Sequence, residues 1–327
     1  PQIAVGHLGQ LVVLAVLLEQ ARRFRADQEG CTPAGEAVPP PPGERRIVVL
    51  VGGYGSGSGH ASVLELDTAA LGYVADDVVQ FSYRGGRAPG VGDLEGVPVT
   101  AYGPADAGGE LQRSGNRLRA LLEDIDRAHP GVPVDVVAHS QGGVVARAAL
   151  AGAPRPARVE HLVTLGSPHD GTDLATANAA LGASEAGRAG VSVLAWASDG
   201  GLDGAAPSAA QLAEGSAFLE DLADRPLPPG LPVTSIAAEG DLVVPAVHSS
   251  LPGATNALVP LGGTDAHTRL SGAPATTREV ALALAGRGPT CRDLGPGLVR
   301  AALTSALEDR AGAGLAGAAG WVSGPGP

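Results

Sequence analysis

Lysine and methionine occur nowhere in the 327-residue chain, aromatic residues make up 3% of it, and there are two cysteines. Each scarcity removes a class of function. Without lysine there is no Walker-type phosphate loop ending in Gly-Lys, no Schiff base with pyridoxal phosphate and no kinase lysine. All basic residues are arginine, 22 against 34 acidic residues, for a formal net charge of −12. No arginine run exceeds the pairs Arg22-Arg23 and Arg45-Arg46, so the basic face that neutralises phosphate backbones is missing and no nucleic-acid partner is expected. With so few aromatics the core must be assembled from Ala, Val and Leu. Cys31 and Cys291 cannot make a Cys-x-x-Cys redox pair or a four-cysteine zinc site. They leave two readings open, a single disulfide tying the two ends of the domain or two free thiols. No cofactor and no metal are expected.

Residues 2–18, QIAVGHLGQLVVLAVLL, carry no Asp, Glu, Lys or Arg. Two readings fit this run: the tail of a membrane span or signal segment, or an amphipathic helix packed on the domain. His7, Gln10 and two glycines dilute it, and Arg22, Arg23 and Arg25 follow it, which under the positive-inside rule would place the rest of the chain in the cytoplasm. Membrane association through this segment, with a membrane-anchored or extracytoplasmic location, is the expectation, and a cytoplasmic one the alternative. A chain opening on Pro1-Gln2 is expected to be a processed product or a piece of a longer one. Residues 1–30 are thus expected to form an N-terminal hydrophobic helix. Residues 31–43 carry four successive prolines, 39–42, and read as an extended spacer. The main domain is expected over 44–290, and a C-terminal helix with a Gly/Ala tail over 291–327. The chain is expected to be a monomer.

From residue 44 onward, short β-branched runs alternate with longer Ala/Leu-rich stretches, the pattern of an α/β domain whose mostly parallel central sheet has helices on both faces. Strands are predicted over 47–51, 78–83, 134–138, 159–165, 233–237 and 256–260, where near-continuous apolar runs suit strands buried on both sides. Helices are predicted over 61–71, 109–128, 142–151, 208–222, 268–285 and 298–308. In the second of these, Leu111, Leu118, Leu121, Leu122 and Ile125 keep helical spacing while Arg113, Arg117, Arg119, Glu123 and Asp124 form the wet face. Residues 172–206, rich in Ala, Gly and Ser with scattered Leu194 and Trp196, read as a lid-like insertion.

The sharpest local signal is VDVVAHSQGGVVARAAL, residues 134–150. A β-branched strand runs into Ala138-His139-Ser140-Gln141-Gly142 and straight out into a helix. This is the strand–turn–helix context of a nucleophile elbow, written A-x-S-x-G. A serine on so tight a turn sits at strained dihedrals, so the residues two before and two after it must be small, and Ala138 and Gly142 are. The helix that follows aims its free N–H groups and positive dipole end at an anion formed near Ser140. A tetrahedral intermediate needs two such donors, and losing one costs about 10²–10³ in rate. The N–H of Gln141 is the expected first donor. The second is expected from Gly53 or Tyr54, in the glycine-rich stretch 52–59 after the first strand. No G-x-G-x-x-G register fits that stretch, which sets a dinucleotide site aside.

With these pieces in place the sequence resembles the α/β-hydrolase family, and within it the bacterial lipases and esterases. The resemblance rests on AHSQGG (138–143), TLGSPHDGTDLA (164–175), GSAFLEDL (215–222) and the acid and histidine segments, and spans roughly residues 47–284. It departs at the oxyanion loop, where many lipases have His-Gly and this chain has Gly52-Gly53. The family's order is serine, acid, histidine, the last two following later strands. That order points to Asp241 in SIAAEGDLVVP as the acid, with Glu239, Asp265, Asp170 and Asp173 as rivals. It points to His267 in GGTDAHTRL as the base, ahead of His248. His139 beside the serine is expected to pack, and His169-Asp170 to shape a loop at the rim. The resemblance implies a serine carboxylic-ester hydrolase acting on an ester or lipid, with Leu194 and Trp196 as substrate-binding residues. Acyltransferase, amidase or thioesterase chemistry, or a non-catalytic membrane-tethered scaffold, are the alternatives.

Overall fold

The computed structural model describes residues 22, 24, 27–38, 43–152, 158–172 and 206–300. Six strands, β1 (Ile47–Val51), β2 (Val78–Gln80), β3 (Val134–His139), β4 (Val159–Leu165), β5 (Val233–Gly240) and β6 (Thr255–Gly262), form one sheet in the order β2-β1-β3-β4-β5-β6. Every neighbouring pair is parallel. The chain leaves β1 for β2 on one side and returns to β3 on the other, so the order reverses beside β1 and β3, and in open α/β sheets ligands bind outside the carboxyl ends of strands at such a point.

Two apolar layers explain why these strands read as unbroken runs. Ile47, Val49 and Val51 face one layer with Val136 and Ala138, covered by α1 (Leu111–Ala128) and α2 (Gln141–Leu150). Val48 and Leu50 face the other with Val137, Val163 and Ile236, covered by α3 (Pro274–Leu284). The stripe predicted for α1 is the buried one: Leu111, Leu118, Leu121, Leu122 and Ile125 are all fully buried.

Several boundaries differ from the sequence expectation. The stretch 61–71 is no helix but a single 3₁₀ turn, Ser62–Glu65. Leu66 leaves it in extended conformation, and the Asp67 carboxylate takes the Ala70 N–H, the local competition by which Asp opposes helix. The predicted 208–222 helix is two, Pro207–Gln211 and Ala217–Ala223, separated by Gly215 at φ +64° and restarted by Ser216, whose hydroxyl caps the Leu219 N–H. The predicted 268–285 helix likewise divides into Ala266–Arg269 and α3, with Pro274 opening the second. Strand β2 stops at Gln80 because Phe81 pairs antiparallel with Arg87. Among the described residues the last helical stretch is 294–300; the rest of the predicted 298–308 helix lies outside them.

Cys31 and Cys291 are joined in a disulfide, across 260 residues of chain. Around it Thr32 pairs with Thr290, and Arg292 reaches β5 through an ion pair to Glu239 at 2.6 Å. No helix among the described residues is long and apolar enough to cross a membrane. Residues 2–18, most of the 172–206 insertion, and 301–327 lie outside the described residues.

Candidate active site

Strand β3 delivers Ser140 at φ 55°, ψ −133°, the one non-glycine residue with positive φ among those described. Such a conformation costs of order 1–3 kcal/mol and persists only where the surroundings enforce it. Here they do: the Ser140 N–H donates to the Leu165 carbonyl of β4, and α2 begins at the next residue. The turn also explains the glycine two residues on. A Cβ at Gly142 would lie 2.6 Å from the Val51 carbonyl oxygen and 2.7 Å from that of Gly52.

The three chain-distant residues singled out from the sequence meet at this turn. His267 Nε2 lies 2.9 Å from Ser140 Oγ, and His267 Nδ1 lies 2.7 Å from Asp241 Oδ2. Asp241 is fully buried, and its other oxygen accepts the N–H groups of Val243 and Val244 at 2.8 and 2.9 Å. With both carboxylate oxygens committed, the aspartate fixes the ring tautomer: Nδ1 carries the proton and Nε2 is left to accept from the serine. Asp241 follows β5 and His267 follows β6, so all three sit at carboxyl ends of strands.

Three of the rivals, Glu239, Asp265 and His248, are engaged elsewhere. Glu239 is held by Arg292 and by Arg300 at 3.5 Å. Asp265 pairs with Arg269 one turn along its own short helix. His248 faces Glu214 at 3.2 Å. Asp173 lies outside the described residues, as do Leu194 and Trp196. His139 tilts against His267, ring centroids 4.7 Å apart, and its Nε2 bonds the His267 carbonyl oxygen at 2.9 Å. His169 is buried beneath the site against Thr164 Oγ1 at 3.0 Å. Burial, and then the charge of Arg147, push the His169 imidazole well below its ordinary range, and burial pulls the Arg147 guanidinium down to about 10.

The expected oxyanion loop passes directly over the serine. A Cβ at Gly53 would stand 2.8 Å from Ser140 Cβ, so only glycine lets the backbone approach this closely. The Gly52 carbonyl accepts from the Tyr83 phenol at 2.7 Å. Burial pushes that phenol's pKa up, so it stays a donor. Gln141, at the start of α2, is fully buried with its side-chain amide donating to the Ala107 carbonyl at 2.8 Å.

Two features escaped the sequence reading. One is a group of polar side chains, Gln80, Tyr102 and Ser56, wrapped around the 52–59 loop. Its only trace in the sequence is a glutamine inside the apolar run VVQFSY. The other is a charged cluster at the amino end of β3. Fully buried Asp135 accepts from Arg46 Nε at 2.8 Å and Nη2 at 2.7 Å, from Tyr73 Oη at 2.7 Å, and lies 2.7 Å from His161 Nδ1. Its trace is the Asp in VDVVA and the His in VEHLVTL, which the sheet register sets side by side.

Comparison with known proteins bears on the fold. A family model described as a domain of unknown function (DUF7379) matches residues 114–208. No curated protein matches. Among solved structures the chain is similar to phospholipase PlaB from Legionella pneumophila, at 13% identity and TM-score 0.51, over 81% of this chain and 64% of that one. It is also similar to Bacillus licheniformis lipase BlEst2 in its propeptide form, at 19% identity and TM-score 0.50, over 80% of this chain and 54% of that one. The chain therefore spans about half the length of that lipase form. The parallel sheet, the strand–turn–helix at Ser140 and these likenesses together define an α/β-hydrolase fold.

Proposed function

We propose that this protein is a serine carboxylic-ester hydrolase of lipase or esterase type, with Ser140, His267 and Asp241 as its catalytic residues. The observation that carries the reading is the unbroken chain Ser140 Oγ–His267 Nε2 at 2.9 Å and His267 Nδ1–Asp241 at 2.7 Å, built on a strained turn at the start of a helix. Strain, buried acid and oriented base are costly to maintain together and serve no evident packing purpose.

In this mechanism Ser140 Oγ attacks the ester carbonyl carbon while His267 Nε2 takes its proton. Asp241 stabilises the imidazolium that results. The carbonyl oxygen becomes an oxyanion held by the N–H of Gln141 and a second donor from the 52–59 loop. Collapse breaks the bond to the alcohol, which leaves with the His267 proton, and the acyl group stays on Ser140. Water then gives a proton to His267 and attacks the acyl carbon; the second collapse releases the acid and returns the proton to Ser140. The Cys31–Cys291 disulfide supports an oxidising location, since cytosolic thiols are kept reduced.

The test is hydrolysis of p-nitrophenyl esters from two to sixteen carbons by wild type and by Ser140→Ala. Wild type is expected to turn over with a defined chain-length optimum, and Ser140→Ala to lose at least about 10⁴-fold in kcat. Undiminished turnover in Ser140→Ala, or none in wild type, contradicts the reading.

A further inference from the structure

The second oxyanion donor can be assigned by following the peptide planes of the loop, an argument that rests on the hydrolase reading above. All described peptides are trans, so the carbonyl of one residue and the N–H of the next point in opposite directions. The Gly52 oxygen lies against the first turn of α2, 2.7 Å from where a Gly142 Cβ would stand, and is held by Tyr83. The N–H of Gly53 therefore faces away from α2 and from the Gln141 N–H, with which it would have to converge. The next plane is different. The Gly53 carbonyl is turned into the protein, where Ser56 Oγ donates to it at 2.8 Å and the Ser56 N–H at 3.3 Å.

Ser56 is itself the end of a directed chain. The amide of Gln80, at the carboxyl end of β2, is oriented without ambiguity: its oxygen accepts the Gly59 N–H at 2.8 Å and its nitrogen donates to the Gly57 carbonyl at 2.8 Å. The same nitrogen donates to Tyr102 Oη at 3.0 Å, which leaves the phenol to donate to Ser56 Oγ at 3.2 Å, which leaves the serine to donate to Gly53. Gln80 and Ser56 are fully buried and Tyr102 is 6% exposed. Each bond strengthens the next in such a chain, and a polarised carbonyl makes the N–H of its own amide a better donor.

We propose that Gln80, Tyr102 and Ser56 form a positioning relay that fixes the Gly53–Tyr54 peptide and presents the Tyr54 N–H, rather than that of Gly53, as the second oxyanion donor. None of the three touches the reacting atoms; they act on the transition state through one peptide plane. Their loss should therefore lower kcat and leave KM nearly unchanged, because the donor matters most when the oxygen carries charge. A role in loop packing alone would lower thermal stability without that split.

The experiment is a double-mutant cycle on p-nitrophenyl butyrate hydrolysis by the full chain, with Ser56→Ala, Tyr102→Phe and both together, and Ser140→Ala as the control. The relay predicts a kcat loss of about 10–100-fold for Ser56→Ala and about 3–10-fold for Tyr102→Phe, with KM within about 2-fold. It also predicts that the double variant is no worse than Ser56→Ala, because the Tyr102 hydroxyl, the only group that Phe lacks, bears on Gly53 through Ser56. Should Ser56→Ala fail to fold, Tyr102→Phe, which removes a single hydroxyl, carries the test through its kcat and KM. Wild-type kcat in Tyr102→Phe, multiplicative losses in the double variant, or losses confined to KM would overturn the relay. If wild type itself shows no Ser140-dependent turnover, the hydrolase reading fails first, and that result is distinguishable from a failure of the relay alone.

Discussion

A buried aspartate pairs with a histidine near each end of strand β3. At its amino end Asp135 meets His161 at 2.7 Å; beyond its carboxyl end Ser140 meets His267, which meets Asp241 at the same 2.7 Å. Both aspartates are fully buried, so neither burial nor the pair itself separates them. What separates them is the rest of the environment. Asp135 is neutralised by Arg46 and capped by Tyr73, and Arg46 goes on to Glu160 at 3.0 Å. Burial alone would raise the Asp135 carboxyl, but the hydrogen bonds from His161 and Arg46, with the Arg46 charge, outweigh it and hold the group below the ordinary range. Asp241 receives only backbone N–H groups beside its histidine, and that histidine has a strained serine on its far side. On the proposed reading, what makes an aspartate–histidine pair a general base is a carboxylate left uncompensated by a cation and a second nitrogen that faces a nucleophile.

The largest effect expected from breaking this comparison is on turnover. Asp241→Asn should lower kcat about 10⁴-fold with the fold intact, since the wrong histidine tautomer is then favoured. Asp135→Asn should leave the kcat of the folded protein within about 2-fold. Steady-state kinetics on both variants checks this, and equal losses would show that the two pairs are not functionally distinct.

Stability should respond in the opposite sense. Asp135→Asn leaves Arg46, 11% exposed, without its main partner, and breaking such a pair costs about 3–5 kcal/mol in urea unfolding. The pH dependence follows from the sign of the shift. A carboxyl held low when folded contributes stability that is complete above its unfolded pKa and is lost as pH falls through the folded one. Wild type should therefore lose stability as pH drops from about 4 downward, and Asp135→Asn should lose that part of the slope. A slope unchanged in the variant would assign the acid sensitivity to other carboxyls.

Removing the disulfide sharpens the point that stability and chemistry are separable here. The 260-residue span sets an upper limit of about 6 kcal/mol from chain entropy, and the stabilisation realised is commonly less, about 2–4 kcal/mol. Cys31→Ser with Cys291→Ser should lower the urea midpoint accordingly and leave turnover at 25 °C near that of wild type. A loss of turnover in the folded variant would tie the chain termini to the site.

The sheet was legible because strands buried on both faces must be apolar throughout, and all six runs were located to within three residues at either end. Helix boundaries were less so. Residues 61–71 have helical composition, yet the Asp67 side chain competes for the backbone, and the glycine and proline breaks at 215 and 274 act against the periodicity on either side of them. At the candidate site, Ser140 was legible from local chemistry, and Asp241 and His267 from chain order after strands. The relay and the Asp135 cluster were not, because each draws on residues whose proximity comes from parallel register and loop paths. Gln80 reaches the 52–59 loop only because β2 lies beside β1, and Asp135 meets His161 only because β3 lies beside β4.

The most direct test of the central claim is covalent labelling of the folded protein with a serine-directed fluorophosphonate, followed by mass analysis of its peptides. The account predicts one adduct, on Ser140, absent from Ser140→Ala and strongly slowed in Asp241→Asn but not in Asp135→Asn. No adduct on wild type, or an adduct that persists in Ser140→Ala, would contradict it.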